Sequence, residues 1–295
     1  RNGLDGVRAR RQEWVTAGSV QHPASPKPAR DEAQIEPEPI QPIQAVSAHQ
    51  LPIPPTSFIG REPERAHIGE LLAKPAVRLV TLYGPGGMGK TRLALQVALE
   101  QPNSPTFIQL EAIERAELIV PTIAQAIGFA LDSHESPLRQ LIHFLRPKPW
   151  LLVLDNFEHL TERGSELISK LLLQAPQLKL LITSRERLNV RGEWVIDLQG
   201  LAVPPDLQAQ PESFSAVQLF LDSLQRGRPR DALTADELTS VVRICQLVQG
   251  MPLGLELAAS WAGMLSLAEI EAEIRQSVDF LAAGIKASVE PGKME

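Results

Sequence analysis

The chain has 295 residues, 43% of them hydrophobic and 22% charged, ordinary values for a globular protein and enough for one large domain or two medium ones. Aromatic residues make up only 4%, so the core must rest on Leu, Ile, Val and Ala. A formal charge of -6 argues against nucleic-acid binding over the whole surface, and with Cys245 as the one cysteine no intramolecular disulfide can form.

Cys245 lies in the apolar stretch Val241–Val248, which reads as a small buried side chain rather than a reactive thiol. No apolar run is long enough to span a membrane, and the first residues do not form a signal-peptide pattern. A cytoplasmic location without membrane contact is expected. The first residue is Arg1 rather than Met, which reads as a piece of a longer protein or a processed one.

Residues 1–20 carry Arg8, Arg10 and Arg11 beside Trp14 and read as the end of a preceding module or as a solvated tail, with DNA contact as a weaker third reading. Residues 21–55 read as a linker. Pro23, Pro26, Pro28, Pro37, Pro39, Pro42, Pro52, Pro54 and Pro55 disfavour regular hydrogen-bonded structure. Residues 56–203 then alternate strands and helices. Strands are expected at Arg78–Tyr83, Thr106–Leu110, Trp150–Leu154, Leu178–Thr183 and Glu193–Leu198. Helices are expected at Lys90–Glu100, Glu114–Ile127, Pro137–Leu145 and Glu166–Leu173. That alternation predicts an α/β fold with a parallel sheet. The continuous run WLLVL predicts a central strand covered on both faces.

After Pro204-Pro205 the strands stop. Helices are expected at Ser213–Leu224, Thr234–Gln249, Leu253–Leu265 and Leu267–Leu281, with Ser215 and Thr234 at or near N-terminal caps. A small all-helical domain over 204–285 should follow the α/β domain, and residues 286–295 should lead out of it.

Gly84-Pro85-Gly86-Gly87-Met88-Gly89-Lys90-Thr91 matches G-x-x-x-x-G-K-[ST] in full, after an apolar strand and before a helix. The glycines let the backbone wrap an anion closely, and its N–H groups and the helix N-terminus point at phosphates. Lys90 is expected to reach the β and γ phosphates and Thr91 to offer its hydroxyl to Mg²⁺. Arg92 follows in the same helix start and is grouped with the loop.

Asp155 emerges at the carboxyl end of WLLVL, where α/β sheets bind ligands. It reads as a second Mg²⁺ ligand, or as an ordinary strand-end Asp capping a turn. Asn156 follows, and an amide positions water but accepts no proton. Glu158 is the nearest carboxylate and reads equally as a replacement base or as a solvated helix-start residue. Arg185 closes the next strand and reads as a γ-phosphate sensor, or as a surface arginine paired with Glu186; Arg187 is a weaker sensor candidate. His67, His143 and His159 stand at no triad or metal spacing.

Five segments together resemble the STAND class of P-loop NTPases and, within it, the NB-ARC or AP-ATPase group. They are Phe58-Ile59-Gly60-Arg61-Glu62-Pro63-Glu64, GPGGMGKT, LLVLDNFEH, LLITSRERL and Gly250-Met251-Pro252-Leu253. The match runs from about residue 56 to about residue 265, and the wording LDNFEH looks like the bacterial transcriptional-regulator branch. The resemblance implies a five-stranded parallel sheet with ATP or ADP at its carboxyl edge. It implies that Phe58, Ile59, Gly60 and Arg61 lie against adenine and ribose, and that Pro252 closes over the base. Lys90, Thr91, Asp155 and Arg185 take their family roles by position.

The implied function is a signalling switch, closed with ADP and active with ATP, at the core of a larger transcriptional regulator. In the full-length protein it would self-associate on activation and touch DNA only through domains outside these residues. Two departures stand against the family pattern: Asn156 replaces a second acid, and no winged-helix domain or sensing repeats follow within the chain. A weak ATPase is therefore expected. The competing readings are a kinase or metabolic ATPase, and an AAA+-like motor with continuous turnover or a binding-only scaffold.

Overall fold

The computed structural model describes residues 51–102, 105–206, 210–227 and 233–277. The expected N-terminal module, most of the linker, the C-terminal stretch 286–295 and the end of the last helix lie outside the described residues. All described residues fall within one compact unit.

The elements run in the order α1 (Glu62–Ala73), β1 (Leu79–Tyr83), α2 (Lys90–Leu99), β2 (Thr106–Gln109), α3 (Ile119–Ala126), α4 (Pro137–Leu145) and β3 (Trp150–Asp155). They continue with α5 (Thr161–Gln174), β4 (Leu178–Ser184), β5 (Glu193–Asp197), α6 (Ser215–Gly227), α7 (Ala235–Leu247) and α8 (Pro252–Trp261). Residues 267–277 are helical as well and form α9. The five strands make one sheet in the order β2-β3-β4-β1-β5, every pair parallel. This is the expected α/β arrangement of a P-loop NTPase, followed by helices.

Strand periodicity divides the core into two layers. Leu152 and Leu154 of β3, with Leu178, Leu180 and Ile182 of β4, pack with α3, α4 and α5. Leu151 and Val153 of β3, with Val80 and Leu82 of β1 and Leu181 of β4, pack on the other face with α1 and α2. A third cluster holds the helices together, with Phe220 of α6, Ile244 and Cys245 of α7, Leu255 and Ala259 of α8, and Ile270 of α9. Burial pushes the Cys245 thiol up to about 12, which fits its reading as a small apolar side chain.

Several element bounds differ from the expectations. Helix α1 has no predicted counterpart. Its N-cap is Arg61, at a positive φ of 69° and without a side-chain cap bond, and its buried residues Ile68, Leu71 and Leu72 fill only its later turns. The expected helix from Glu114 begins at Ile119 instead, after a 3-10 turn at Ala116–Leu118; this puts Pro121 in the first turn, where its missing N–H costs nothing. Helix α5 starts five residues early, at Thr161, and contains Gly164. A methyl group there would lie 2.7 Å from Cζ of the fully buried Phe157, so the glycine makes room for that ring. Ser215 is the first residue of α6, next to the cap position, and Thr234 caps α7 with a complete capping box to Glu237. Ser266 and Glu269 form the same reciprocal pair ahead of α9. Helix α7 ends at Leu247 because Gln249 and Gly250 follow at positive φ.

Register brings the strand ends into one row. Leu154 pairs with Ile182, so Asp155 stands beside Thr183; Tyr83 pairs with Ser184, so Gly84 and Arg185 leave the sheet together.

Candidate nucleotide-binding site

The loop between β1 and α2 turns with Gly84, Gly87 and Gly89 at positive φ, a region that side chains rarely enter. Gly84 also has the backbone of Leu198 against it: a methyl group there would lie 2.9 Å from the Leu198 carbonyl oxygen. Lys90 opens α2, is 7% exposed, and its Nζ donates to the carbonyls of Gly84 at 2.7 Å and Pro85 at 2.9 Å. Burial lowers its pKa, with Glu158 and Asp155 opposing that shift and Arg185 adding to it.

Asp155 is 2% exposed. Its Oδ1 accepts hydrogen bonds from Thr91 Oγ1 at 2.7 Å and Thr183 Oγ1 at 2.6 Å. Burial raises its pKa; the two hydroxyls pull it back, Glu158 raises it and Lys90 lowers it. A buried carboxylate held mainly by hydroxyls is under-compensated. Together with the Thr91 hydroxyl it forms a pair of hard oxygen donors, which fits Mg²⁺. Among the described residues no group of three or more His, Cys, Asp and Glu could hold a metal unaided. Remaining ligands would come from phosphate and water, the usual pattern for this ion.

A cleft of about 290 Å³ opens above this floor. One wall is the loop from Gly86 to Thr91 with Arg92, Asn156 and Arg185; the other is largely apolar, from Phe58, Ile59, Leu201, Leu219, Pro252 and Leu253. A polar, N–H-rich wall facing an apolar one suits a ligand with phosphates at one end and a ring at the other.

The structure brings together most of the expected site residues. Pro252 begins α8 and packs near Gly89, its Cγ 3.7 Å from where a methyl group on that glycine would stand. Arg92 Nη2 donates to the carbonyls of Thr56 at 2.8 Å and Ser57 at 2.9 Å, tying the entering chain to α2. Five expected residues are absent from the cleft wall: Gly60, Gly84, Pro85, Asp155, which lies beneath it, and Glu158, which lines a separate pocket with Glu186. Gly60 packs against Ser215 on another face, and Gly84 and Pro85 supply the carbonyls that hold Lys90. Arg61 lines the cleft but is committed elsewhere: it donates to Glu64 Oε1 and to the carbonyls of Met88 and Gln199, which makes it a brace for the loop.

Arg185 stands at the phosphate wall, where a methyl group on Gly86 would lie 3.3 Å from its guanidinium. Its ion pair is with Glu158, Nε to Oε1 at 3.0 Å, and not with Glu186. Arg187 lies over the Tyr83 ring at 5.4 Å and takes no part in the cleft. His159 Nε2 donates to the Ile113 carbonyl at 2.6 Å, which anchors the turn after β3.

Sequence reading missed Thr183, Leu201, Leu219, Leu253 and Glu256. Thr183 holds Asp155 through its hydroxyl, and that same oxygen accepts from Asn156 N at 2.9 Å; the Thr183 carbonyl accepts from Phe157 N at 3.0 Å. The turn after β3 is thereby clamped, with Asn156 at φ 60°. Leu253 N–H donates to the Gly87 carbonyl at 3.2 Å, a direct bond between α8 and the phosphate loop. The position of Thr183, one strand over from Asp155 and at the same level, was a usable signal; Leu201 and Leu219 gave none.

Residues 57–183 match the family model of the AAA ATPase domain. An uncharacterized protein of Mycobacterium tuberculosis is 32% identical over 240 residues, covering 80% of this chain and 58% of that protein. Another from the same organism, provisionally named an HTH-type transcriptional regulator, is 33% identical over 215 residues, covering 72% of this chain and 23% of its own length. The chain therefore spans little more than half of one relative and under a quarter of the other. A STAND protein with a tetratricopeptide repeat sensor from Pyrococcus horikoshii superposes with a TM-score of 0.48 at 18% identity, covering 80% of this chain and 34% of that one. Among the described residues no helix is long and apolar enough to cross a membrane. The chain carries a P-loop NTPase fold with an ATPase-domain match across its loop and central strands, and this fold implies nucleotide binding.

Proposed function

We propose that this chain is an ATP/ADP-binding switch of the STAND class, NB-ARC-like, which hydrolyses ATP slowly and serves as the regulatory core of a larger transcriptional regulator. The observation that carries the reading is the backbone bond from Leu253 at the start of α8 to Gly87 in the phosphate loop. A loop that must fit a phosphate chain and a helix bonded to that loop cannot move independently, so nucleotide state has a direct route to the helices.

In this reading Lys90 binds the β and γ phosphates, and Arg185 reports the γ-phosphate. Phe58, Ile59 and Pro252 contribute to the wall against the base. Thr91 and Asp155 would hold Mg²⁺, which neutralises phosphate charge when bound. Asn156 positions water without taking its proton. The relative provisionally named an HTH-type transcriptional regulator supports the regulatory setting. DNA contact would belong to domains outside these residues, and activation would bring copies together.

Continuous turnover is the second reading, favoured by the AAA ATPase domain match over 57–183. Steady-state ATP hydrolysis separates the two. A switch should turn over no faster than about 0.01 per second, the scale of self-contained signalling GTPases. Turnover near 10 per second, an ordinary enzyme rate, would replace the switch by the motor reading.

A further inference from the structure

The inference concerns control of the same site and rests on the ATP/ADP reading. Arg185 and Glu158 leave neighbouring strands and meet as an ion pair at 3.0 Å. Their surroundings differ. The Arg185 side chain is 63% exposed and stands at the phosphate loop beside Gly86, free to swing without disturbing the core. The Glu158 side chain is 20% exposed, and its second oxygen, Oε2, is buried without a hydrogen-bond partner. An unsatisfied buried carboxylate oxygen is costly and calls for an explanation. The Glu158 side chain lines a separate pocket with Glu186 and not the cleft itself; its charge opposes the burial-driven lowering of the Lys90 pKa and adds to the raising of the Asp155 pKa. Position 156 supplies only an amide.

We propose that Glu158 is the general base for ATP hydrolysis and that Arg185 holds it out of use until a γ-phosphate draws the guanidinium away. With ADP bound, Arg185 has no γ-phosphate to meet and the pair persists. With ATP bound, the guanidinium exchanges the Glu158 carboxylate for γ-phosphate oxygens, a charge-assisted contact of the same kind. The freed carboxylate then takes a proton from the attacking water as the water oxygen bonds to the γ-phosphorus. The bond from phosphorus to the bridging oxygen breaks with its electron pair leaving on ADP, and the proton passes from Glu158 to solvent. Loss of the γ-phosphate restores the pair. The arginine that detects ATP thus releases the base that removes it, which makes the active state self-limiting.

The test uses the whole 295-residue chain with Glu158→Gln, Arg185→Ala and the double variant. Affinities for ATPγS and for ADP are measured by competition with a fluorescent nucleotide, and hydrolysis by single turnover. Glu158→Gln removes the competitor for Arg185 and should raise the ATPγS-to-ADP affinity ratio about threefold, the scale of a solvent-accessible ion pair. It should also slow single-turnover hydrolysis about 100-fold, as loss of a general base does. Arg185→Ala should lower the ratio, and adding Glu158→Gln to it should change the ratio no further. A plain structural role for Glu158 would leave the ratio where it is in wild type. An unchanged ratio in Glu158→Gln, an equal rise in the double variant, or hydrolysis within about twofold of wild type would each overturn the latch. Failure of wild type to bind either nucleotide would overturn the underlying reading, and the latch with it.

Discussion

The two walls of the cleft are built by different means. The phosphate wall is one continuous octapeptide, Gly84 to Thr91, backed by Asp155 one strand beyond its neighbour in the sheet. Its chemistry comes from backbone N–H groups, one ammonium, one hydroxyl and one carboxylate. The opposite wall collects single apolar side chains from the entering segment, the stretch after β5, α6 and α8. Its chemistry is shape and burial. A wall of the first kind is specified locally, and one of the second kind exists only when helices and sheet are docked.

The docking itself can be broken first. The stretch after β5 and the turn before α8 cross with their backbones almost touching, and Leu201 N–H donates to the Gly250 carbonyl at 2.8 Å. A methyl group on Gly250 would stand 2.1 Å from the Leu201 carbonyl oxygen, and its φ is 65°. Gly250→Ala is therefore expected to cost at least about 3 kcal/mol in chemical denaturation. It should also abolish the apolar wall, seen as lost nucleotide affinity at temperatures where the sheet remains folded.

Lys90→Ala acts on the phosphate wall alone. Loss of charge-assisted contacts to two phosphates should weaken ATP and ADP binding about 100-fold or more, measured by calorimetric titration, with little change in thermal midpoint. A loss confined to stability would mean that Lys90 braces the loop and does not bind ligand.

Asp155→Asn sharpens the contrast by separating binding from stability. Burial raises the Asp155 pKa above its ordinary 3.8, so the folded chain favours the protonated form. Its contribution to stability is full below the unfolded value and is lost as pH rises through the folded one. The Asn variant escapes that loss and can still accept from Thr91 and Thr183. At pH 7 without nucleotide it should be more stable than wild type by about 1 kcal/mol. The difference should vanish as pH falls below 3.8. Nucleotide binding in the same variant should lose its dependence on Mg²⁺.

The smallest effect belongs to the apolar wall. Leu253 is 47% exposed, so Leu253→Ala removes only part of a side chain's burial. A decrease of about threefold in nucleotide affinity is expected, below 1 kcal/mol. Its backbone bond to Gly87 survives the change.

Legibility in the sequence follows the same division. The loop, Asp155 and the first four strands were readable because each is a short local pattern: a glycine spacing, an apolar run, an acid at a strand end. Pro252 was placed by the Gly-Met-Pro-Leu element. Helix α1 was not readable, since Arg61 offers none of the usual capping chemistry. Leu201 and Leu219 look like any core leucine until α6 is docked. Glu186, adjacent along the chain, was the alternative partner the sequence offered for Arg185; the ion pair runs across the sheet instead, where the turn after β3 brings in Glu158. Arg61 shows the converse: it lines the cleft, and only its hydrogen bonds reveal that it braces the loop.

The most direct test of the account is to denature the purified protein and identify what it releases by chromatography, with Lys90→Ala alongside. The account predicts near-stoichiometric ADP from the wild-type chain and none from the variant. Release of no nucleotide, with rapid ATP turnover once ATP is added, would contradict it.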